Sequence, residues 1–155
     1  KDDVIVSKLS FRNKFTNYSY TLFYEPRIKR NSDETDLIMI GNSSLNINAS
    51  YCNPDCVIEV VSGVDKVYHI LDAKYTKINT LENIHKPTCI KKYLIDVGIK
   101  GMPYQKANNL VLLHPDSTDK EKNLIHNTEY YPQILSMVCK PKSDFKLRQL
   151  VRSFK

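Results

Sequence analysis

The sequence predicts an α/β or α+β domain in which helices flank a mixed β-sheet. Two observations support this fold class: β-branched and aromatic runs typical of strands recur along the chain, and a helical pattern interrupts them near the middle. The strand-like runs are residues 18–30, 36–41, 56–62, 66–75, 108–115 and 133–141, and the helical segments are 87–98 and the C-terminal residues from about Asp144. Strands on both sides of a helix are typical of helices packed against a sheet.

The N-terminal half contains two candidate strands divided by a turn. Residues 18–30, YSYTLFYEPRIKR, alternate weakly and are rich in Tyr, which predicts a strand with Pro26 near a sheet edge. NSDETD at 31–36 predicts a turn, and DLIMIG at 36–41 predicts the next strand. The polar residues 41–53 predict a loop or a frayed edge.

The centre of the chain predicts a hairpin followed by a helix. CVIEVVS at 56–62 and KVYHILDAKY at 66–75 are apolar and β-branched, and a short turn containing Gly63 joins them. Further on, Pro87 suits an early helical position and Gly98 suits a helix end, so we expect the helix to begin near Pro87 and to stop at Gly98.

Length and charge limit the class of protein. A chain of 155 residues suits one domain, with its core at about 18–140; because it begins with Lys rather than Met, we expect it to be a fragment of a larger protein. No apolar run approaches the roughly 18 residues that span a bilayer, so we expect no membrane contact and a cytoplasmic location. Lys and Arg outnumber Asp and Glu by 23 to 17, and the resulting charge of +6 favours a polyanionic partner.

The positive charge is concentrated near the C-terminus. The segment KPKSDFKLRQLVRSFK contains Lys140, Lys142, Lys146, Arg148 and Arg152. It is either a solvated terminal helix or a face that contacts phosphate groups, and the second alternative predicts salt-sensitive binding.

The cysteines are too few for a disulfide scaffold in a chain of this length. Cys52 and Cys56 lack the C-x2-C spacing of common zinc sites, and no second Cys/His pair is suitably placed to complete one. We interpret the cysteines as reduced thiols, with a zinc site as the alternative.

Two acids and a lysine stand at the open end of the predicted hairpin. Asp55 precedes the first strand, and Asp72 and Lys74 end the second. An antiparallel hairpin places Asp55 opposite Asp72 or Ala73, and directly opposed residues lie about 4.5–5.5 Å apart at Cβ. Asp72 and Lys74 share a face because they are two residues apart on one strand. Glu59 lies roughly 13 Å further along and is expected in a different neighbourhood.

This arrangement predicts a site for a divalent metal and a phosphate group. Two neighbouring carboxylates repel unless a cation lies between them, and Mg²⁺ commonly binds one or two carboxylates together with water and substrate phosphate. Lys74 would orient or deprotonate the metal-bound water, or neutralise the developing phosphate charge. In the simpler alternative, Asp55 is a turn residue after Pro54, and Asp72 and Lys74 form an ion pair on a solvated face.

The motif resembles the PD-(D/E)XK nuclease superfamily, which has the restriction-endonuclease-like fold. The segments LFYEPRIKR, NPDCVIEV and YHILDAKY are similar to nuclease domains of McrBC-type restriction and defence proteins, over about residues 20–115. The resemblance implies that Asp55 and Asp72 bind Mg²⁺ or Mn²⁺ and that Lys74 acts in catalysis.

Family members often carry further functional residues on two helices. A helix before the first strand often supplies a metal-side Glu. Here residues 2–15 show no helical stripe and no Glu, so either that helix precedes this sequence or the acid is absent. Glu25 is the only nearby substitute as a metal ligand, and the alternative is a surface charge on a strand. The helix after the motif often places polar residues beside the site, which implies phosphate contacts for Lys92 and Tyr93. Both could instead be ordinary surface and half-buried residues.

The sequence therefore predicts a Mg²⁺-dependent DNA endonuclease domain, working with other domains or subunits of a restriction or defence assembly. The alternatives are a catalytically inactive module of the same fold, which binds nucleic acid or assembles a defence complex, and a nuclease directed at RNA.

Overall fold

The computed structural model of the protein describes residues 7–40, 51–102, 105–115, 124–125 and 132–139. These residues form one helix, α1, and nine strands: β1 (Lys8–Arg12), β2 (Tyr18–Tyr24), β3 (Leu37–Met39), β4 (Cys56–Ser62), β5 (Asp65–Ala73), β6 (Val97–Ile99), β7 (Asn109–His114), β8 (Leu124–Ile125) and β9 (Gln133–Val138).

Most of the strands form a mixed seven-stranded sheet in the order β1-β2-β4-β5-β7-β9-β8. Within this sheet, the pairs β1–β2, β2–β4 and β4–β5 are antiparallel. The pairs β5–β7 and β7–β9 are parallel, and β8 is antiparallel to β9. β3 and β6 form a separate two-stranded sheet. The prediction of a mixed sheet combined with helical structure is confirmed.

Helix α1 connects β5 to β7, and it begins nine residues earlier than the sequence predicts. It consists of α-helical segments Ile78–Thr80 and Lys86–Ile90, which alternate with π-helical segments Leu81–His85 and Lys91–Ile95. Pro87 was expected to mark the start because proline lacks an N–H donor and clashes with the preceding turn. The turn before it is instead the wider π type, in which the Lys86 N–H donates to the Leu81 carbonyl.

The end of α1 also differs from the prediction. The helix stops at Ile95, and Gly98 lies within β6, opposite Ile38 of β3. Val97 and Ile99 are β-branched and fully or almost fully buried, so pairing with β3 satisfies both their burial and their backbone groups.

Three further differences concern strands. β1 was not predicted, and it lies in the segment where family members often have a helix but where this sequence shows no helical stripe. β2 ends at Tyr24 rather than continuing to residue 30, because Glu25 adopts a positive φ of 46° that an extended strand does not allow. β8 was also not predicted.

The main core lies between the sheet and α1. One row of apolar side chains crosses five strands in register, and the helix packs over it through Leu81, Cys89 and Tyr93. The row consists of Phe23, Val57, Ile70, Leu110 and Ile134. Asp72 lies two residues beyond Ile70 on β5, so its side chain points to the same face of the sheet, under the helix.

A polar network joins the two sheets at the other end of β5. Asp36 Oδ2 accepts a hydrogen bond from Lys66 at 2.6 Å, and the Tyr68 hydroxyl donates to Glu59 at 2.7 Å and lies 3.2 Å from the same Asp36 oxygen. The Asp36 carbonyl also accepts the Lys100 N–H beside β6. Glu59 therefore belongs to a structural network rather than to the Asp55 neighbourhood, as predicted.

The C-terminal helix expected from Asp144 lies outside the described residues. In the described part of the chain, no helix is both long enough and apolar enough to cross a membrane.

Candidate metal and phosphate site

The register of the β4–β5 hairpin decides between Asp72 and Ala73 as the residue opposite Asp55, a choice that the sequence leaves open. Cys56 is paired with Leu71, so the next position outward places Asp55 opposite Asp72 rather than Ala73. The main chain of Asp55 is held in place because its carbonyl accepts the Glu25 N–H at 2.9 Å. Both acids thus lie at the end of the hairpin away from its turn.

Asp72 is buried beneath helix α1, with only 2% of its surface exposed. Its Oδ1 accepts a hydrogen bond from the Tyr93 hydroxyl at 2.9 Å, and its Oδ2 is 3.5 Å from the Cys89 sulfur. Cys89 and Tyr93 are four residues apart, so they project from the same side of the helix. A buried carboxylate needs such partners, because an isolated charge in the protein interior is strongly unfavourable.

Lys74 supplies the opposite charge. Its ammonium group forms an ion pair with Oδ2 of Asp72, and its side chain is 28% exposed. Burial alone would lower the pKa of Lys74, but the hydrogen bond and charge of Asp72, helped by the charge of Asp55, outweigh it and raise the pKa. The lysine is therefore a cation at neutral pH in this structure.

Asp55 completes the group from the neighbouring strand. Its side chain is half-buried, and its Oδ2 accepts the Ala73 N–H at 2.5 Å. That N–H belongs to the peptide that links Asp72 to Ala73, so the Asp55 carboxylate lies directly against the main chain of the Asp72–Lys74 segment. The structure brings Asp55, Asp72 and Lys74 together at this end of the hairpin.

Tyr93 does not occupy the position predicted for it. We expected it to contact phosphate, but it is 1% exposed and its hydroxyl is directed at Asp72. Burial and the adjacent negative charge of Asp72 raise the pKa of Tyr93, so the phenol stays protonated and acts as a donor. Tyr93 supports the acid instead of forming part of an open surface.

Lys92 is half-buried beside Tyr93. Its ammonium group lies 3.1 Å from the Tyr93 hydroxyl and 4.8 Å from the centre of the ring. The same hydroxyl is 3.3 Å from the Asn53 carbonyl, just before the Pro54–Asp55 pair. Lys92 thus lies next to the site, in a position compatible with the predicted phosphate contact.

Glu25 lies near the site through its backbone, but its side chain is exposed. The side chain hydrogen-bonds to Tyr24, and this bond and its charge raise the pKa of that phenol. No group of three or more His, Cys, Asp or Glu side chains in the described residues could hold a metal ion. The candidate metal ligands are therefore the two carboxylates of Asp55 and Asp72.

Two oxygen-donating carboxylates fit a magnesium ion. Mg²⁺ keeps several waters and commonly binds through one or two carboxylates plus substrate phosphate, so it does not require a complete cage of protein ligands. The same residue types fit Mn²⁺. Cys52, Cys56, Cys89 and Cys139 are free thiols.

Sequence reasoning missed the part that Cys89 plays at the site. Burial, together with the charge of Asp72, raises the pKa of Cys89 to about 11, so the thiol is protonated at neutral pH and can donate to the carboxylate. The four-residue spacing of Cys89 and Tyr93 was the available signal, since it places both on one helix face. The predicted basic residues Lys140, Lys142, Lys146, Arg148 and Arg152 lie outside the described residues.

Comparison with known proteins identifies no relative. No protein-family model, no curated protein and no solved structure matches the chain.

Proposed function

We propose that the protein is a metal-dependent nuclease domain that hydrolyses phosphodiester bonds in DNA, as an endonuclease of a restriction or defence system. The observation that carries this proposal is the Asp55–Asp72–Lys74 group at the end of the hairpin. The resemblance of the same three residues to the PD-(D/E)XK motif supports it, whereas the fold class alone would not.

In this function the two carboxylates hold Mg²⁺ or Mn²⁺. The ion would lower the pKa of a bound water and offset negative charge on the phosphate. Asp72 is fixed by Tyr93 and Cys89, while Asp55 is fixed by the Ala73 N–H, so both oxygen donors are oriented before the ion binds. The Lys74 ammonium group orients the attacking water or neutralises the phosphate, and Lys92 binds an adjacent phosphate.

Cleavage of plasmid DNA tests this function. We expect the protein to nick supercoiled plasmid with Mg²⁺ or Mn²⁺ and not with EDTA, and Asp72→Ala and Asp55→Ala to reduce the rate by at least about 100-fold. Asp96→Ala is the matched control, because Asp96 also forms an ion pair, with Lys91 of helix α1 at 2.8 Å, but lies outside the site. The proposal is wrong if wild type and Asp72→Ala nick the plasmid equally.

A catalytically inactive module is the second candidate, and the burial of Asp72 favours it. A carboxylate that is 2% exposed and bonded through both oxygens serves equally well as a structural ion pair. In that case the protein would bind nucleic acid or partner subunits without cleaving. Binding of duplex DNA that persists in EDTA, with no nicking in either metal, would support this candidate. Cleavage of matched DNA and RNA substrates distinguishes a DNA nuclease from a nuclease directed at RNA.

A further inference from the structure

Both oxygens of the Asp72 carboxylate are already engaged by groups of the protein itself. Tyr93 donates to Oδ1, while Cys89 and the Lys74 ammonium lie against Oδ2. A divalent cation bound to Asp72 requires lone pairs of the same oxygens. Because like charges repel strongly at contact distance, the ammonium and the metal cannot both lie against Oδ2.

Of the three partners, Lys74 is the one that can leave. Cys89 and Tyr93 are 3% and 1% exposed and are packed in the core beneath α1. The Lys74 side chain is 28% exposed, and its long flexible stem allows the ammonium to move toward solvent while its backbone stays fixed by the Lys74 N–H bond to the Leu113 carbonyl. Displacing it leaves the two fixed donors in place.

We propose that Lys74 is an internal competitor of the metal: its ammonium neutralises Asp72 in the metal-free protein and must move off Oδ2 when a divalent cation binds. This inference rests on the proposed metal-dependent function and adds to it a control of metal affinity. The ion pair keeps a buried carboxylate compensated before the metal arrives, since an uncompensated buried charge is strongly destabilising. The same contact weakens metal binding, because each binding event must break it.

Calorimetric titration with Mn²⁺ alone, without nucleic acid, tests the proposal. We expect Lys74→Met to bind Mn²⁺ at least about tenfold more tightly than wild type, because the competing cation is gone. Lys74→Arg keeps the charge and is expected to stay within about threefold of wild type. Thermal melting of each variant establishes that it is folded, and Lys74→Gln replaces Lys74→Met if the apolar side chain prevents folding.

Lys86→Met is the matched control for the loss of a positive charge. Lys86 is on helix α1, its side chain is 21% exposed, and it pairs with Glu82 at 2.5 Å, so the substitution removes an acid-bound lysine of similar exposure away from Asp72. We expect it to leave Mn²⁺ affinity within about threefold of wild type at about 0.15 M salt, where distant charges are screened.

The outcomes distinguish this inference from the proposed function. Equal Mn²⁺ affinity of wild type and Lys74→Met overturns the competitor role while leaving a metal-dependent function in place. An equal gain in Lys74→Met and Lys86→Met also overturns it, because the effect would then be one of net charge. Failure of every variant to bind Mn²⁺ at millimolar concentration overturns both proposals.

Discussion

The hydroxyl of Tyr93 donates a 2.9 Å hydrogen bond to Oδ1 of Asp72, and this bond joins the last turn of helix α1 to the end of strand β5. The helix therefore covers the apolar core and also sets the environment of the central acid of the motif. Changes in the helix are expected to affect stability and the candidate site together.

Substitution of Tyr93 by Phe tests this link. The ring is retained but the donor is lost, so a buried carboxylate oxygen is left without its hydroxyl partner, and we expect the free energy of unfolding to fall by about 1–3 kcal/mol. Urea denaturation measures the change. Tyr75→Phe is the control, because Tyr75 is 97% exposed and should change stability little. Equal effects of the two substitutions would contradict the assignment.

Because His69 is buried, we expect the protein to lose stability at acidic pH. Burial lowers the pKa of His69 to about 4 from its usual 6.5. Between these values the unfolded chain binds a proton that the folded protein does not, so stability decreases as the pH falls through this range, by up to about 3 kcal/mol at pH 4.

Denaturation at pH 7 and pH 4.5 measures this dependence. His69→Leu supplies the control: it fills a similar volume opposite Ile58 and removes the titrating group, so its stability should vary less with pH than that of wild type. An unchanged pH dependence in this variant would exclude His69 as the cause.

Because the protein has buried thiols, we also expect it to lose stability at alkaline pH. Burial raises the pKa of both Cys52 and Cys89 to about 11, with the charge of Asp72 adding to the effect at Cys89. Above pH 9 these thiols ionise in the unfolded chain first, so the folded protein binds more protons and stability falls as the pH rises. The expected loss is about 1 kcal/mol per thiol between pH 9 and pH 10.

Comparison of wild type with Cys89→Ala checks the alkaline prediction. The variant loses packing at all pH values, but the difference in its unfolding free energy between pH 9 and pH 10 should be smaller than in wild type. If the two differences agree within error, ionisation of Cys89 does not contribute.

Ser136 supplies a separate tie between the helix and the sheet. Its hydroxyl, fully buried on β9, bonds to Glu82 of α1 at 2.6 Å. Ser136→Ala is expected to lower the free energy of unfolding by about 1 kcal/mol, which urea denaturation measures. Thr88→Ala is the comparison, because the exposed Thr88 hydroxyl donates only to its own helix, to the Ile84 carbonyl. If Ser136→Ala lowered the free energy of unfolding less than Thr88→Ala does, the link between helix and sheet through Ser136 would be contradicted.

The hairpin and its acids were predictable because their determinants are local. β-branched runs on either side of Gly63, whose φ is +62°, fix a short turn, and the turn in turn fixes which residues face each other. β7 and β9 were predictable for the same reason, since short apolar runs bounded by polar residues have few alternatives.

The environment of Asp72 was not predictable, because it depends on how the helix is rotated relative to the sheet. The start assigned at Pro87 omitted the first nine residues of α1 and therefore gave no basis for that rotation. The burial of Tyr93 and the contact of Cys89 with Asp72 both follow from this tertiary arrangement. β1 was missed because all five of its residues are exposed, so burial leaves no pattern in its sequence.

Because of its two π-helical turns, α1 contains more residues than a regular α-helix of the same length. A π-helical turn contains one residue more than an α-helical turn, with little change in the length of the helix. The first π-helical turn, Leu81–His85, contains Glu82 and lies before the Cys89–Tyr93 end of the helix. Deleting one residue within 83–85 would restore regular winding there and leave the two ends of the helix facing nearly the same way, because a π turn uses one residue more than an α turn for almost the same rotation. Glu82 would then still face β9 while Tyr93 faces β5, so engineered chains with such a deletion should keep both anchorages. A deletion within the α-helical segment Lys86–Ile90 should lose one of them, because each residue of an α-helix turns the chain by roughly 100°.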